Sequence, residues 1–219
     1  MGFGWLGGRA HLEQTYAVLL KDAFEGDAAG LAEFLRAAED TEHGNVQGAM
    51  RSLEKLLPRC ADVPSRRAVR MLMARLCEAV NLVQSAIIHY FAVLSAEPDY
   101  AEARRSIGIL YPMVGQEEEG LLNLERAVAL EPDNAMGHYN LASLQLMLGA
   151  YAEAAESGER VLTCAEPPAQ VHVLLYLAYA MLGQEDKRES HHVLALRTGV
   201  SESQLQATLQ RLQANKPNG

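Results

Sequence analysis

Apolar residues recur at the spacing of amphipathic α-helices along most of the chain, and turn residues divide this pattern into paired runs. The turn glycines Gly115, Gly149 and Gly183 stand at intervals of 34 residues. Pro98 and Pro132 are separated by the same interval. A fixed period of this length is typical of an array of helical hairpins, in which each hairpin buries its apolar face against its neighbours. The pattern therefore predicts stacked helix pairs.

The residues at the two kinds of turn indicate where each predicted helix ends. Glycine between the helices of a pair adopts a positive φ without a steric cost, and Asn81 holds the same position one period before the first glycine. Pro98 and Pro132 stop the second helix of their pairs, because proline cannot continue a helix. Asp99 and Asp133 follow, and their carboxylates suit the start of the next helix.

These turns and the residues between them resemble tetratricopeptide repeats, whose pattern is W-x2-L-G-x2-Y, then A-x3-F, then P. No repeat carries the tryptophan, and Gly120 and Arg188 replace the usual alanine in two repeats. The matches are Met73, Ala74, Ala86, Tyr90 and Pro98 in 67–100; Ile107, Gly108, Tyr111, Gly115, Ala127 and Pro132 in 101–134; Leu141, Ala142, Gly149 and Ala154 in 135–168; and Leu175, Tyr179, Gly183 and Ala195 in 169–202.

The resemblance implies an all-α fold, a right-handed superhelical solenoid of antiparallel helix pairs with an extra N-terminal helix and a C-terminal capping helix. Four repeats occupy residues 67–200. Residues 28–66 form a degenerate first repeat and a connector, because Gly44 precedes Asn81 by 37 residues instead of 34. Residues 201–219 form the capping helix and a disordered tail.

The start of the final helix has its own signal. Ser201 is followed three residues later by Gln204, which is the spacing of a capping box. The predicted helix over 202–213 places leucines on one face and glutamines on the other. Repeat arrays need a terminal helix with a polar outer face for solubility.

Residues 1–27 form an N-terminal segment outside the 34-residue frame. One helix is predicted over 10–25. It either caps the first repeat or folds back into the groove, and we favour capping. Residues 1–8 place Phe3 and Trp5 among four glycines, either as a frayed terminus or as a hydrophobic hook for a partner or a neighbouring copy. The apolar residues that predict the helix are Leu12, Tyr16, Leu19, Leu20 and Phe24.

Composition excludes several classes of function. The net charge is −9, which opposes nucleic-acid binding because phosphate contacts need clustered lysine and arginine. The sequence contains no stretch of about 20 apolar residues, so it predicts no membrane span. Cys60, Cys77 and Cys164 have no CxxC spacing, which favours reduced thiols in the cytoplasm.

The resemblance also implies where a ligand binds, because the first helix of each tetratricopeptide hairpin lines the concave face. The corresponding residues here are rich in methionine, which is flexible and common on adaptable binding surfaces. Each methionine either lines the groove or fills the core between repeats. A partly apolar groove suits a peptide or an amphipathic helix. The predicted groove residues are Met71, Arg75, Arg105, Ile109, Met113, Met136, Tyr139, Asn140, Ser143, Met147, Val173, Leu177 and Met181.

The sequence shows no motif for catalysis or for a cofactor. His138 and His172 are one period apart and His191 adjoins His192, but metal binding needs several converging ligands, so we predict no metal site. The leading hypothesis is a non-catalytic adaptor or chaperone that binds a protein or peptide, and the resemblance extends to bacterial assembly and secretion factors. The alternatives are a scaffold that self-associates through its N-terminal segment and an accessory or regulatory subunit of an enzyme complex.

Overall fold

The computed structural model describes residues 9–214, and within this range all regular secondary structure is helical. The chain divides into two compact units, Met1–Ala103 and Arg104–Gly219, which are described separately below. The predicted all-α fold of antiparallel helix pairs is confirmed in the described residues of each unit. The residues proposed as a hydrophobic hook, 1–8, and the predicted disordered tail, 215–219, lie outside the described residues.

Unit 1 contains two helical hairpins, preceded by the N-terminal segment. The hairpins are α3 with α4 and α5 with α6, and the two helices of each pair pack along one another. The helices are α1 (Arg9–Thr15), α2 (Ala17–Leu20), α3 (Ala28–Glu42), α4 (Val46–Leu56), α5 (Val63–Ala79) and α6 (Val83–Ala96), and the first residues of α7 (Ala101–Leu110) complete the unit.

Unit 2 begins within α7 and continues the alternation of first and second helices. Helix α10 packs against both α9 and α11, and α13 packs on α11. The helices after α7 are α8 (Glu117–Leu130), α9 (Ala135–Met147), α10 (Tyr151–Thr163), α11 (Val171–Leu182), α12 (Glu185–Leu196) and α13 (Glu202–Ala214). Within the described part of the chain, no helix is both long enough and apolar enough to cross a membrane.

The turn residues adopt the conformations that the sequence predicts. Gly115, Gly149 and Gly183 have φ values of 76°, 81° and 69°, and Asn81 has a φ of 59°. These left-handed residues end the first helix of each pair. The helix start after Pro132 differs from the prediction, because the side chain of Asn134, not that of Asp133, accepts a hydrogen bond from Gly137 N. Asn134 lies directly before the first helical residue, which is the N-cap position.

The second hairpin begins four residues earlier than the predicted repeat boundary at residue 67. Asp62 caps α5 by accepting a hydrogen bond from Ser65 N at 2.6 Å. Pro64 lies in the first turn, where its missing N–H costs no intrahelical hydrogen bond. Pro64, within the predicted first repeat and connector of residues 28–66, therefore helps to begin α5.

The N-terminal segment does not form the single helix predicted over 10–25. It breaks into α1 and α2, and Asp22 and Phe24 then adopt φ values of 62° and 57°. The segment contacts α3 and also α5, which are the first helices of the two hairpins. The segment therefore packs on the first helices of both hairpins of unit 1, and the choice between capping the first repeat and filling the groove stays a prediction.

Pro112 shortens the first helix of the hairpin that opens unit 2. Helix α7 ends at Leu110, and Tyr111–Val114 continues as a 3₁₀ turn with Pro112 in its first turn. Gly120 allows α8 to approach this turn closely, because a Cβ atom there would lie 2.8 Å from Pro112 Cδ and 2.9 Å from Gly108 O. The departure from the family alanine at this position thus has a packing cause.

The C-terminal helix begins with the predicted capping box. Ser201 N donates to Gln204 Oε1 at 2.8 Å, and Gln204 N donates to Ser201 Oγ at 3.3 Å. Leu205 and Leu209 of α13 are buried against α11 and its neighbours. This helix covers the apolar face that the last hairpin would otherwise expose.

Candidate protein-binding groove

Unit 2 contains a cavity of about 370 Å³ between α7, α8 and α9, which we call the apolar groove. Every side chain that the structure places along it is uncharged. Five of its residues, Ile109, Met113, Asn140, Ser143 and Met147, were among those predicted. The lining comprises Gly108, Ile109, Pro112, Met113, Leu124, Asn140, Ser143, Leu144 and Met147.

The rim of the apolar groove is both apolar and exposed. Ile109 has a relative exposure of 44%, Met113 of 60% and Met147 of 69%. The floor contains Leu124 and Leu144, which are buried together in one core cluster. A buried apolar floor below an exposed apolar rim is the arrangement that a partner's apolar side chains fill when a protein interface forms.

Asn140 and Ser143 add polar groups to the apolar groove. The Ser143 hydroxyl donates to Tyr139 O at 2.8 Å, so its oxygen is left to accept from a ligand. The Asn140 side-chain amide can both donate and accept. Groups of this kind fix the orientation of a bound peptide backbone without adding charge.

Two predicted groove residues are buried and cannot contact a ligand. Met71 of α5 is fully buried in unit 1, and it lies one helical turn from Arg67, which contacts the N-terminal segment. Leu177 of α11 belongs to the main core cluster of unit 2. Met71 takes the core alternative that the sequence left open for the methionines, and Leu177, predicted only as a groove residue, is also removed from the groove.

The other predicted residues lie outside the apolar groove. In unit 1, Arg75 pairs with Glu102. Within unit 2, Arg105 lies 3.7 Å from Glu131. Met136 is exposed on α9 but does not line the cavity. Tyr139, Val173 and Met181 are half-buried and pack against the core cluster that contains Leu177.

Four residues of the lining were absent from the predicted set. Gly108 and Leu124 meet closely, since a Cβ atom on Gly108 would lie 2.7 Å from Leu124 Cγ. Leu124 lies on a second helix, whereas the prediction considered first helices only. The pair of glycines at 108 and 120, together with Pro112, is the sequence signal that indicates a close approach of α7 and α8 at this site.

A second cavity of about 480 Å³ lies between α8, α9 and α10 and has a different chemistry. Glu156, Glu159 and Arg160 line it, so an apolar ligand would have to desolvate charges there. Glu159 also accepts a hydrogen bond from Tyr179 OH at 2.9 Å. Burial, followed by this contact, raises the pKa of Tyr179 to about 12, and the hydroxyl therefore stays protonated as a donor.

The histidines of unit 2 form contacts between helices that the sequence did not predict. His172 Nδ1 lies 3.0 Å from His191 Nδ1, and the two rings are stacked. His191 Nε2 is 3.6 Å from Glu159 Oε1, and His192 Nε2 is 2.6 Å from Glu202 Oε2. The contact between His192 and Glu202 joins α12 to the capping helix α13. Across residues 9–214, no group of three or more His, Cys, Asp or Glu residues is placed to hold a metal ion.

Residues 123–156 match the family model for the tetratricopeptide repeat, and the match spans one full period of the turn-glycine pattern. The chain therefore contains at least one tetratricopeptide repeat. No curated protein matches its sequence.

Solved structures with the same kind of fold include other tetratricopeptide repeat and MamA proteins. A MamA crystal structure aligns with a TM-score of 0.66 and 22% identity, covering 74% of this chain and 92% of that one. A tetratricopeptide repeat protein from Parabacteroides merdae aligns with a TM-score of 0.69 and 17% identity, covering 92% and 74%. MamA from Desulfovibrio magneticus aligns with a TM-score of 0.63 and 14% identity, covering 87% and 98%. At these identities the likeness is one of fold.

The burial of His172 beside His191 should make the stability of this protein depend on pH. Burial, and next the neighbouring His191, lower the pKa of His172 below its ordinary value. The neutral ring is therefore favoured in the folded state. This stabilisation is present above the unfolded-state pKa of about 6.5 and is lost as the pH falls through the folded-state pKa.

We therefore expect the free energy of unfolding to fall between about pH 7.5 and about pH 5.5, and to fall less in His172→Gln. Urea unfolding at the two pH values measures both differences. His89 contributes in the same direction, because burial lowers its pKa too, so the variant reduces the fall without abolishing it. The control His138→Gln should keep the wild-type fall. An equal fall in His172→Gln and wild type would contradict the assignment.

Proposed function

We propose that this tetratricopeptide repeat protein is a non-catalytic adaptor or chaperone that binds a peptide or an amphipathic helix in the apolar groove of unit 2. The observation that carries the proposal is the exposed rim of Ile109, Met113 and Met147 above an uncharged, buried floor. Folded monomers seldom leave such apolar surface exposed without a binding role.

A polypeptide suits the apolar groove better than a polar metabolite. Its volume lies near the lower end of the range of about 300–1,000 Å³ typical of ligand pockets, which suits a few apolar side chains. Methionine side chains adapt to different apolar shapes, so Met113 and Met147 favour a partner that presents leucine, methionine or aromatic residues. Asn140 is placed to hydrogen bond to a peptide backbone.

The charge of the chain indicates what flanks these apolar residues in the partner. The net charge is −9, and residues 104–219 contain more acidic than basic side chains. A partner with lysine or arginine beside its apolar residues would therefore be attracted before contact, and its association would slow at high salt. The same charge disfavours nucleic acid as a partner.

Two features support a bacterial system and a reducing compartment as the place where this function is carried out. The fold is shared with proteins from bacteria such as Parabacteroides merdae, in line with a role in a bacterial assembly or secretion system. Cys60, Cys77 and Cys164 are free thiols, in line with a reducing cytoplasm.

The experiment selects ligands from a displayed library of 15-residue peptides and measures their affinities by fluorescence anisotropy. We expect selected peptides to carry large apolar residues at helical spacing. The double variant Met113→Glu with Met147→Glu should weaken their binding at least about thirtyfold, because two carboxylates would be buried against apolar side chains.

Leu122→Glu is the matched control, since Leu122 is an equally exposed aliphatic residue on α8 that does not line the apolar groove. It should leave the affinities within about twofold of wild type. If the selected peptides bind the double variant as tightly as they bind the wild type, the proposed binding site is wrong.

A further inference from the structure

The N-terminal segment is seated on unit 1 in the way that a bound peptide is seated in a groove. Leu12, Tyr16, Leu19 and Phe24 are all buried, and they are spaced by four, three and five residues. The rings of Tyr16 and Phe24 lie 6.0 Å and 5.7 Å from the ring of Phe34 on α3. Four apolar anchors along one short segment are typical of a ligand helix in a groove.

The first-helix face of unit 1 also binds the backbone of this segment. Phe24 N donates to Ser65 Oγ at 2.8 Å, and Arg67 Nη2 donates to Lys21 O at 2.6 Å. Both contacts use main-chain groups of the segment, so they do not depend on which side chains it carries. A different polypeptide laid in the same place would satisfy Ser65 and Arg67 equally well.

The segment is joined to α3 by a strained connection. Helices α1 and α2 have seven and four residues, which is too short for helices that are stable alone. Asp22 and Phe24 hold left-handed backbone conformations without being glycine, and Gly26 follows with a φ of 75°. A bulky residue such as Phe24 is strained there. A peptide from another chain with glycine at the position of Asp22 would make the same contacts with less strain.

The polar contacts beside the segment are incompletely satisfied. Among the described residues, Arg67 Nε and Glu97 Oε2 are buried without a hydrogen-bond partner. Buried polar atoms of this kind are costly, and a ligand that reached them would gain their hydrogen bonds. Arg67 therefore keeps one guanidinium N–H that its contacts with Lys21 and Glu97 leave unpaired.

We propose that residues 12–24 are a built-in ligand of the first-helix face of unit 1, displaced by an amphipathic peptide segment of a partner that carries apolar and aromatic anchors at the same spacing. This site is separate from the apolar groove of unit 2, and its test is independent of the groove. In the resting chain the face is closed, and the partner opens it by competition.

The test uses the full chain and a fluorescein-labelled synthetic copy of residues 9–26 as the probe. Leu19→Ser in the chain weakens the built-in ligand and leaves the face unchanged. We expect this variant to bind the probe at least tenfold more tightly than wild type, because the competitor is weaker. A probe that carries the same Leu19→Ser change should lose binding. The control variant Leu122→Glu, on an exposed residue that lines neither site, should bind the probe as the wild type does.

Equal probe binding by wild type and a folded Leu19→Ser chain would overturn the proposal. Hydrogen exchange on the wild-type chain gives a second readout that needs no variant. Amides of residues 17–24 should exchange much faster than those of α5, and the unlabelled probe should accelerate them further. If these amides exchange only when the whole protein unfolds, the proposal is also overturned. A molecular mass in solution that doubles as the protein concentration rises would also overturn the proposal, because a second copy of the chain would then occupy the first-helix face.

Discussion

Phe34→Ala should lower the free energy of unfolding of the protein by about 3–5 kcal/mol, because it removes a fully buried aromatic side chain. Phe34 lies on α3 and contacts the rings of both Tyr16 and Phe24. Its loss leaves a cavity between α3 and the N-terminal segment, and it also removes two aromatic pairs. The change should therefore release the segment before the rest of unit 1 unfolds.

Chemical denaturation followed by circular dichroism measures the loss of stability, and limited proteolysis after residue 9 measures release of the segment. Phe91→Ala is the matched control, since Phe91 is the same residue type on α6 of the same unit but is largely exposed. It should change the free energy of unfolding by no more than about 0.5 kcal/mol. Similar losses for the two variants would contradict the packing described for Phe34.

Arg67→Met should lower the free energy of unfolding by about 3 kcal/mol, at the lower end of the range for breaking a buried ion pair. The side chain of Arg67 is 9% exposed, and that of its partner Glu97 is 28% exposed, so the carboxylate left behind is only partly hydrated. The change also removes the donor to Lys21 O, and it removes the guanidinium 5.2 Å from the Tyr100 ring.

An exposed pair in the same unit provides the comparison. Arg59 and Glu33 approach to 2.6 Å but both are exposed, so Arg59→Met should leave the free energy of unfolding close to that of the wild type. Urea titrations of the two variants under one set of conditions measure the difference. Adding Glu97→Gln to Arg67→Met should recover part of the loss, since it removes the unpaired charge. Failure to recover any stability would indicate that packing, not charge, explains the role of Arg67.

The sequence predicted most reliably those features that depend on a few neighbouring residues. A glycine or an asparagine in a left-handed turn, as at Gly149 and Asn81, is decided by local backbone sterics. The capping box of Ser201 and Gln204 is local in the same sense.

Features that depend on contacts distant in the sequence were harder to predict. Met71 and Met147 both occupy first helices, yet Met71 is buried and Met147 is exposed. Arg67, one helical turn before Met71 on α5, contacts the N-terminal segment, and that segment lies outside the repeat frame. Periodicity assigns a residue to a helix face, but it does not indicate whether another part of the chain covers that face.

The position of the N-terminal segment also determines the order in which its contacts form during synthesis. Its anchors leave the ribosome before α5 does, and α5 ends at Ala79, about 55 residues after Phe24. At about 5–20 residues per second, the nascent chain presents Leu12, Tyr16 and Leu19 for about 3–11 s before their binding face is complete. A ribosome-associated chaperone that recognises apolar segments would meet this stretch before it meets α5, and the folded protein would hide it.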